Sequence, residues 1–87
     1  MTTVALTLVG KPGCHLCDDA RQVVQNVMAD PELAALSLEL DEQNILEDAA
    51  LFDRYQEEIP VLLINGKVHN FWRIDPVRLT NSLKELS

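Results

Sequence analysis

Hydrophobic and polar residues follow two different periods along the first half of the chain. Residues 3–9 are β-branched or aliphatic almost without interruption and stop at a Gly-Lys-Pro-Gly segment, which predicts a buried strand followed by a tight loop. Over residues 15–29 the apolar positions recur at helical spacing instead, which predicts an amphipathic helix that ends near Asp30 and Pro31. Residues 36–40 alternate apolar and polar, a pattern typical of a strand with one buried face.

The second half begins with another helical pattern and a hairpin signal. Residues 45–55 predict a helix with acidic residues in its first turns, where the helix dipole favours them. We expect this helix to turn these residues inward: Ile45, Ala49, Leu51 or Phe52, and Tyr55. Residues 61–64 and 67–70 flank an Asn-Gly pair, which predicts a two-residue β-hairpin with antiparallel strands.

A terminal helix completes the predicted order β-α-β-α-β-β-α. Asp75 as N-cap and Pro76 as first helical residue predict its start, and we expect it to end near Ser87. Its predicted apolar face consists of Val77, Leu79, Leu83 and Leu86. Because a helix joins the first two strands, they should be parallel, whereas the last two form the hairpin. The sequence therefore predicts an α/β protein: one domain over residues 1–87, with a four-stranded mixed sheet covered by three helices.

Composition and charge indicate the environment of the protein and exclude some classes of partner. Hydrophobic residues make up 47% and charged residues 24% of the chain, which is the balance of a soluble globular protein. The net charge of −7 repels phosphate backbones and anionic lipid headgroups, so we expect neither nucleic acid nor membrane as a partner. No apolar run approaches the ~20 residues that span a bilayer, and the N-terminus lacks the pattern of a signal peptide. We expect a cytoplasmic monomer.

The chemistry of the chain is concentrated in its two cysteines. Cys14 and Cys17 are three positions apart at the junction of the first strand and the first helix. The free N–H groups and positive dipole end of a helix N-terminus stabilise an anion, so a cysteine there can have its pKa lowered from ~8.5 to roughly 3.5–7.5. We therefore predict Cys14 as the nucleophile, and Cys17, one helical turn on, as the thiol that resolves a mixed disulfide.

Charged residues around this pair should tune the thiolate. A protonated His15 would favour it, whereas the carboxylates of Asp18 and Asp19 in the first helical turn would oppose it. Lys11, in the preceding loop, could offset part of that opposition or bind a substrate carboxylate.

Ile59 and Pro60 form the second part of the predicted site. A cis X–Pro bond costs only ~0.5–1 kcal/mol, and a cis proline before a strand would turn the backbone N–H and C=O of its neighbour outward, where an extended peptide could pair. A trans Pro60 that merely terminates a helix is the alternative.

These segments together resemble a known family. A Lys-Pro-Gly-Cys-His-Leu-Cys segment at residues 11–17, with Ile-Pro-Val at residues 59–61 before a hairpin, is similar to the glutaredoxins. Closer still are small bacterial glutaredoxin-like proteins of the thioredoxin superfamily with a Cys-His-Leu-Cys centre. The resemblance implies a thioredoxin fold, a reversible Cys14–Cys17 disulfide, a cis Pro60 and cytoplasmic electron transfer.

The resemblance also suggests substrates and binding residues. Lys11 corresponds to the lysine that binds the glycine carboxylate of glutathione, and Ile59 to the residue whose backbone pairs with the cysteine of that tripeptide. Glutaredoxins usually continue after the hairpin with Gly-Gly and an acidic residue, whereas residues 68–73 here are Val-His-Asn-Phe-Trp-Arg. The expected partner is thus a disulfide-containing protein or glutathione as co-substrate, with no bound cofactor.

Two other interpretations of the cysteines stay open. Two thiolates at this spacing can form half of a zinc or iron–sulfur site, but His15 lies between them and His69 is distant, so we expect no metal within one chain. The cysteines could also be small buried apolar residues in a non-catalytic binding module. We further expect Phe71 and Trp72 to pack in or around the core.

Overall fold

A computed structural model describes residues 2–86 of the chain. Its strands are β1 (Thr2–Gly10), β2 (Leu36–Asn44), β3 (Val61–Ile64) and β4 (Lys67–Phe71), and its α-helices are α1 (His15–Met28), α2 (Ala49–Tyr55) and α3 (Pro76–Lys84). Short 3-10 helices at Pro31–Leu33 and Ile45–Glu47 precede β2 and α2. No helix among these residues is both long enough and apolar enough to cross a membrane.

The four strands form one mixed sheet in the order β2-β1-β3-β4. β1 is parallel to β2 and antiparallel to β3, and β3 is antiparallel to β4. This architecture confirms the predicted four-stranded mixed sheet, three helices and order of elements. The hairpin turn at Asn65 and Gly66 has φ values of 51° and 83°, the left-handed conformations that a two-residue turn between antiparallel strands favours.

Alternation along the strands divides the apolar residues between the two faces of the sheet. Along β1, Val4, Leu6 and Leu8 point to one face and, together with Leu62, pack among residues of α1 and α3. On the opposite face, Val9 and Val61 pack with residues of the α2 region in a smaller cluster. Both faces are therefore covered, which is why β1 reads as a nearly continuous apolar run.

The predicted helix over residues 45–55 is interrupted. Asp48 has extended backbone, and its carboxylate accepts hydrogen bonds from the N–H groups of Ala50 and Leu51, so that α2 begins only at Ala49. Ile45 and Tyr55 are buried as predicted, and Leu51 is partly buried, but Ala49 is exposed because the break changes the helical phase.

One predicted boundary and one predicted apolar face also need correction. β2 extends to Asn44 rather than ending at residue 40, because the parallel ladder with β1 continues to Gly10. Asp75 caps α3 as predicted, with its carboxylate accepting from the N–H groups of Val77 and Arg78. Leu79 and Leu83 are fully buried, whereas Val77 and Leu86 are exposed. Ser87, where the prediction ended the helix, lies outside the described residues.

Candidate functional site

One end of the sheet brings the predicted site residues together. The register pairs Val9 of β1 with Val61 of β3, and Val61 with Phe71 of β4. The loop that leads from β1 to Cys14, the residues before β3 and those after β4 therefore leave the sheet at the same end. Distant segments of the chain thus meet around the amino end of α1.

Cys14 and Cys17 are joined by a disulfide, with their Cα atoms 5.1 Å apart. Cys14 is the N-cap of α1, and its sulfur accepts a hydrogen bond of 3.1 Å from the backbone N–H of Cys17. In the reduced form the same N–H and the helix dipole would stabilise a thiolate at Cys14. Cys14 is partly exposed, whereas Cys17 is only 2% exposed, so an incoming molecule meets Cys14 first.

Gly10 leaves the space that the Cys17 sulfur occupies. A Cβ atom on Gly10 would lie 2.9 Å from Cys17 Sγ, closer than two such atoms can approach without displacement. Gly13, in the loop before Cys14, has a φ of 76°, a conformation that glycine adopts without steric cost. The sequence analysis treated both glycines only as loop signals. The close approach of the Cys17 side chain to the backbone at Gly10 has no local signature in the sequence.

A charged groove lies beside Cys17. It has a volume of about 310 Å³, and its lining includes Lys11, Cys17, Asp18, Arg21, Glu42 and Asn44. The Arg21 guanidinium donates to Glu42 Oε1 at 2.7 Å and to Asp18 Oδ1 at 3.0 Å. Arg21 therefore neutralises one of the two carboxylates expected to oppose the thiolate. Sequence reasoning missed Arg21 and Glu42 because they are 21 residues apart on different elements.

The other predicted residues near this groove have defined positions but few contacts. Lys11 is exposed in the loop and lines the charged groove. His15 is the first residue of α1 and is also exposed. Both side chains are accessible to a bound molecule, and neither is needed for packing.

Ile59 and Pro60 precede β3 as predicted, joined by a cis peptide bond. Pro60 is buried and Ile59 partly buried. The expectation that the Ile59 N–H points outward is wrong: it donates to the carbonyl of Tyr55 at 3.1 Å. The chain leaves α2 in a tight turn, in which the N–H groups of Glu58 and Ile59 both donate to the Tyr55 carbonyl at the end of the helix.

Phe71 and Trp72, which the sequence placed in or around the core, are not core residues. They are 42% and 54% exposed, with their rings edge to face at 5.0 Å between centroids. Trp72 has a φ of 64°, which costs a bulky residue roughly 1–3 kcal/mol. Its backbone N–H donates to the Pro60 carbonyl at 2.8 Å, and its indole N–H donates to the Glu57 carbonyl at 3.0 Å. These two bonds fix the ring where apolar burial does not.

Trp72 borders a second groove, which we call the aromatic groove. Its volume is about 240 Å³, and its lining includes Leu16, Asp19, Val23, Trp72, Arg73 and Ile74. Leu16, which lies between Cys14 and Cys17 in sequence, is 38% exposed. It therefore places one wall of this groove next to the cysteine pair. Sequence reasoning missed Leu16 as a residue of this groove.

His69 is the extra residue of a bulge in β4, between the partners of Leu62 and Leu63. Its Nε2 atom is buried and has no hydrogen-bond partner. Burial, and secondarily the positive charge of Arg78, lower the pKa of His69 below its ordinary value. Across residues 2–86, no three His, Cys, Asp or Glu side chains are grouped closely enough to hold a metal ion.

The fold and the cysteine pair define a class of protein. A four-stranded mixed sheet with a Cys-x-x-Cys disulfide at the N-terminus of the first helix is the arrangement of the thioredoxin superfamily. The family model of the glutaredoxin-like domain (DUF836) matches residues 5–84, and the chain belongs to this family. The resemblance read from the sequence is thereby confirmed.

Solved structures and other relatives agree with this assignment. A structural-genomics target protein from X. campestris is 30% identical, with a TM-score of 0.72 over 92% of this chain and 96% of its own. A mutant thioredoxin from Halobacterium salinarum shares the fold at 18% identity, with a TM-score of 0.63 over 97% of this chain and 74% of its own. An uncharacterized protein of Mycobacterium tuberculosis is 20% identical over 91% of this chain and 81% of its own. Family, fold and disulfide together support thiol–disulfide redox function in general.

Proposed function

We propose that this protein is a dithiol–disulfide oxidoreductase that transfers electrons through the Cys14–Cys17 pair. The observation that carries the proposal is the hydrogen bond from the Cys17 N–H to Cys14 Sγ at the N-terminus of α1, next to a buried Cys17. That placement favours a thiolate on the accessible sulfur and keeps the second thiol within bonding distance.

The reaction proceeds in two exchanges. The Cys14 thiolate attacks one sulfur of a substrate disulfide, forms a mixed disulfide and releases the other substrate sulfur as a thiolate. Cys17 then loses its proton to solvent, attacks Cys14 Sγ and releases the second substrate thiolate. Two electrons pass from the dithiol to the substrate, and both released thiolates take up protons. An external thiol reductant returns the Cys14–Cys17 disulfide to the dithiol.

Surrounding residues have supporting roles in this proposal. The Arg21 guanidinium offsets the negative charge of Asp18, one helical turn from Cys14. A protonated His15 adds positive charge beside the thiolate, and Lys11 can bind a carboxylate of the substrate. Pro60 shapes the surface on which substrate lies. The substrate itself is a protein disulfide or glutathione disulfide, and the cytoplasmic location and monomeric state stay predictions.

Mixed-disulfide trapping tests the proposal, because the chain has only two cysteines. Oxidation of the purified protein should remove both free thiols without increasing its mass by a second chain. Cys17→Ser should accumulate a mixed disulfide with a disulfide substrate, whereas the matched Cys14→Ser should not. If the two variants trap substrate equally, or if oxidation leaves two free thiols, the proposal is wrong. Visible absorption after purification without oxygen would indicate an iron–sulfur carrier instead.

A further inference from the structure

Phe71 and Trp72, which we call the aromatic pair, lie outside the core, yet the position of Trp72 is fixed. Trp72 adopts left-handed backbone conformation, and two hydrogen bonds fix its backbone and its indole, yet more than half of its surface stays exposed. Backbone strain of this kind persists only where the surrounding structure over-determines it, and the two hydrogen bonds do so here. A ring that is already immobile loses little conformational entropy on binding, which makes it an effective contact for a ligand.

The aromatic groove adjoins the segment that carries the cysteine pair. Leu16 lies between Cys14 and Cys17 in sequence and lines the same groove as Trp72. The backbone of Trp72 is bonded to Pro60, the residue that precedes β3 at this end of the sheet. A chain that presents its disulfide to Cys14 can therefore place its neighbouring side chain in this groove.

The chemistry of the groove indicates an apolar side chain from a polypeptide. Leu16, Val23 and Ile74 supply apolar walls, and the opposite charges of Asp19 and Arg73 lie at the same groove. Its volume of about 240 Å³ is below the ~300–1,000 Å³ of pockets for whole small ligands, so one side chain is a suitable occupant. Oxidised glutathione has no apolar side chain to place there. Moreover, the Ile59 N–H that could pair with it is bonded to Tyr55.

The charge of the protein favours basic residues in the part of the substrate that lies outside the groove. The chain carries a net charge of −7, and exposed Glu57 and Glu58 lie beside the carbonyl that binds the Trp72 indole. Basic residues beyond the reacting cysteine would complement this surface and accelerate encounter.

We propose that the aromatic groove selects polypeptide disulfides in which an aromatic or large aliphatic side chain neighbours the reacting cysteine and basic residues follow, in preference to small disulfides. This inference rests on the proposed function and names the substrate class of the same site. Trp72 is its specificity-determining residue.

Competing disulfides provide the kinetic test. One synthetic basic peptide carries Phe beside its disulfide cysteine, a second carries Ser in place of that Phe, and oxidised glutathione is the third substrate. We expect the native protein to reduce the Phe peptide with at least about tenfold higher kcat/KM than the Ser peptide. Trp72→Asn should abolish this preference by lowering kcat/KM for the Phe peptide about tenfold, to the level of the Ser peptide. Asn tolerates the left-handed backbone, so this variant should fold.

Val68→Thr is the matched control. Val68 is on β4, the strand that leads to Trp72, and is 48% exposed, but it lies at the hairpin end of that strand, away from the cysteines. This variant should keep the preference for the Phe peptide. A preference for glutathione, an equal loss on all three substrates in Trp72→Asn, or a loss in Val68→Thr would overturn the inference.

A binding measurement separates this inference from the redox proposal. Trp72 is the only tryptophan of the chain, so its fluorescence reports on the groove directly. A Phe peptide with serine in place of its cysteines should change this fluorescence on titration and bind at least about fivefold more tightly than its Ser counterpart. That result in a protein that reduces no disulfide would refute the redox proposal alone. Reduction of disulfides without this difference in binding would refute the inference alone.

Discussion

The two grooves beside the cysteine pair differ in whether their main side chains already contact other residues of the protein. In the charged groove, Arg21 bonds to Asp18 and Glu42, so opposite charges neutralise one another across α1 and β2. In the aromatic groove, the backbone and indole N–H of Trp72 are bonded, but its ring is more than half exposed. Charged groups that are already paired with each other contribute little to the binding of a ligand. A fixed and exposed aromatic ring, in contrast, still offers its surface for contact. The comparison favours thiolate tuning for the ion-paired residues of the charged groove, and binding of the side chain beside the reacting cysteine for the aromatic groove.

Gly10→Val should have the largest effect on stability. It tests the charged groove, which Gly10 lines. The added Cβ would lie 2.9 Å from Cys17 Sγ, so we expect an overpacking cost of about 1–3 kcal/mol in the oxidised protein. The reduced protein should lose less, because a free Cys17 side chain can rotate away. Thermal unfolding of both redox forms measures the difference. Gly66→Ala is the control: Gly66 has a φ of 83° and an open neighbourhood, so both forms should lose about the same. Equal losses in Gly10→Val would argue against this role of Gly10.

Arg21→Gln should have an intermediate effect and would sharpen the comparison. The uncompensated carboxylates of Asp18 and Glu42 should reduce the fraction of Cys14 present as thiolate at pH 7, by about two- to fivefold. Stability should change little, because both ion pairs are exposed. The pH dependence of alkylation, measured on reduced protein, gives the thiolate fraction. An Arg21→Gln, Glu42→Gln double variant should recover part of the loss. Unchanged alkylation would exclude Arg21 from thiolate tuning.

His69→Gln should give the smallest effect and tests the strand that carries the aromatic pair. Because burial lowers the pKa of His69 in the fold, the unfolded chain binds the proton more readily. The stabilising contribution of neutral His69 is therefore complete above the unfolded pKa of ~6.5 and is lost as pH falls through that value toward the folded one. We expect a shallower decline in stability between pH 7 and pH 5 in His69→Gln, measured by urea unfolding. His15→Gln, at an exposed position, is the control, and an equal change in both variants would contradict the assignment to His69.

Short-range features of the sequence determined the elements and the chemical centre. The apolar run of β1, the Asn-Gly turn and the Asp75 cap depend on neighbouring residues, so their signals could be read locally. The position of Cys14 at a helix N-terminus could be predicted for the same reason. The Asp48 cap is also local, but the apolar spacing on either side of it favoured one continuous helix.

Only the tertiary structure decided what surrounds the cysteines. Arg21 meets Glu42, Gly10 meets Cys17, and Trp72 meets Pro60 because the register of the sheet brings separate segments to one end. Composition favoured a buried Trp72, but its left-handed backbone and its two hydrogen bonds leave its ring exposed. The sequence by itself thus determined that a redox-capable pair lies at a strand–helix junction. Long-range packing, which local patterns do not encode, decided which groove faces each side of that pair.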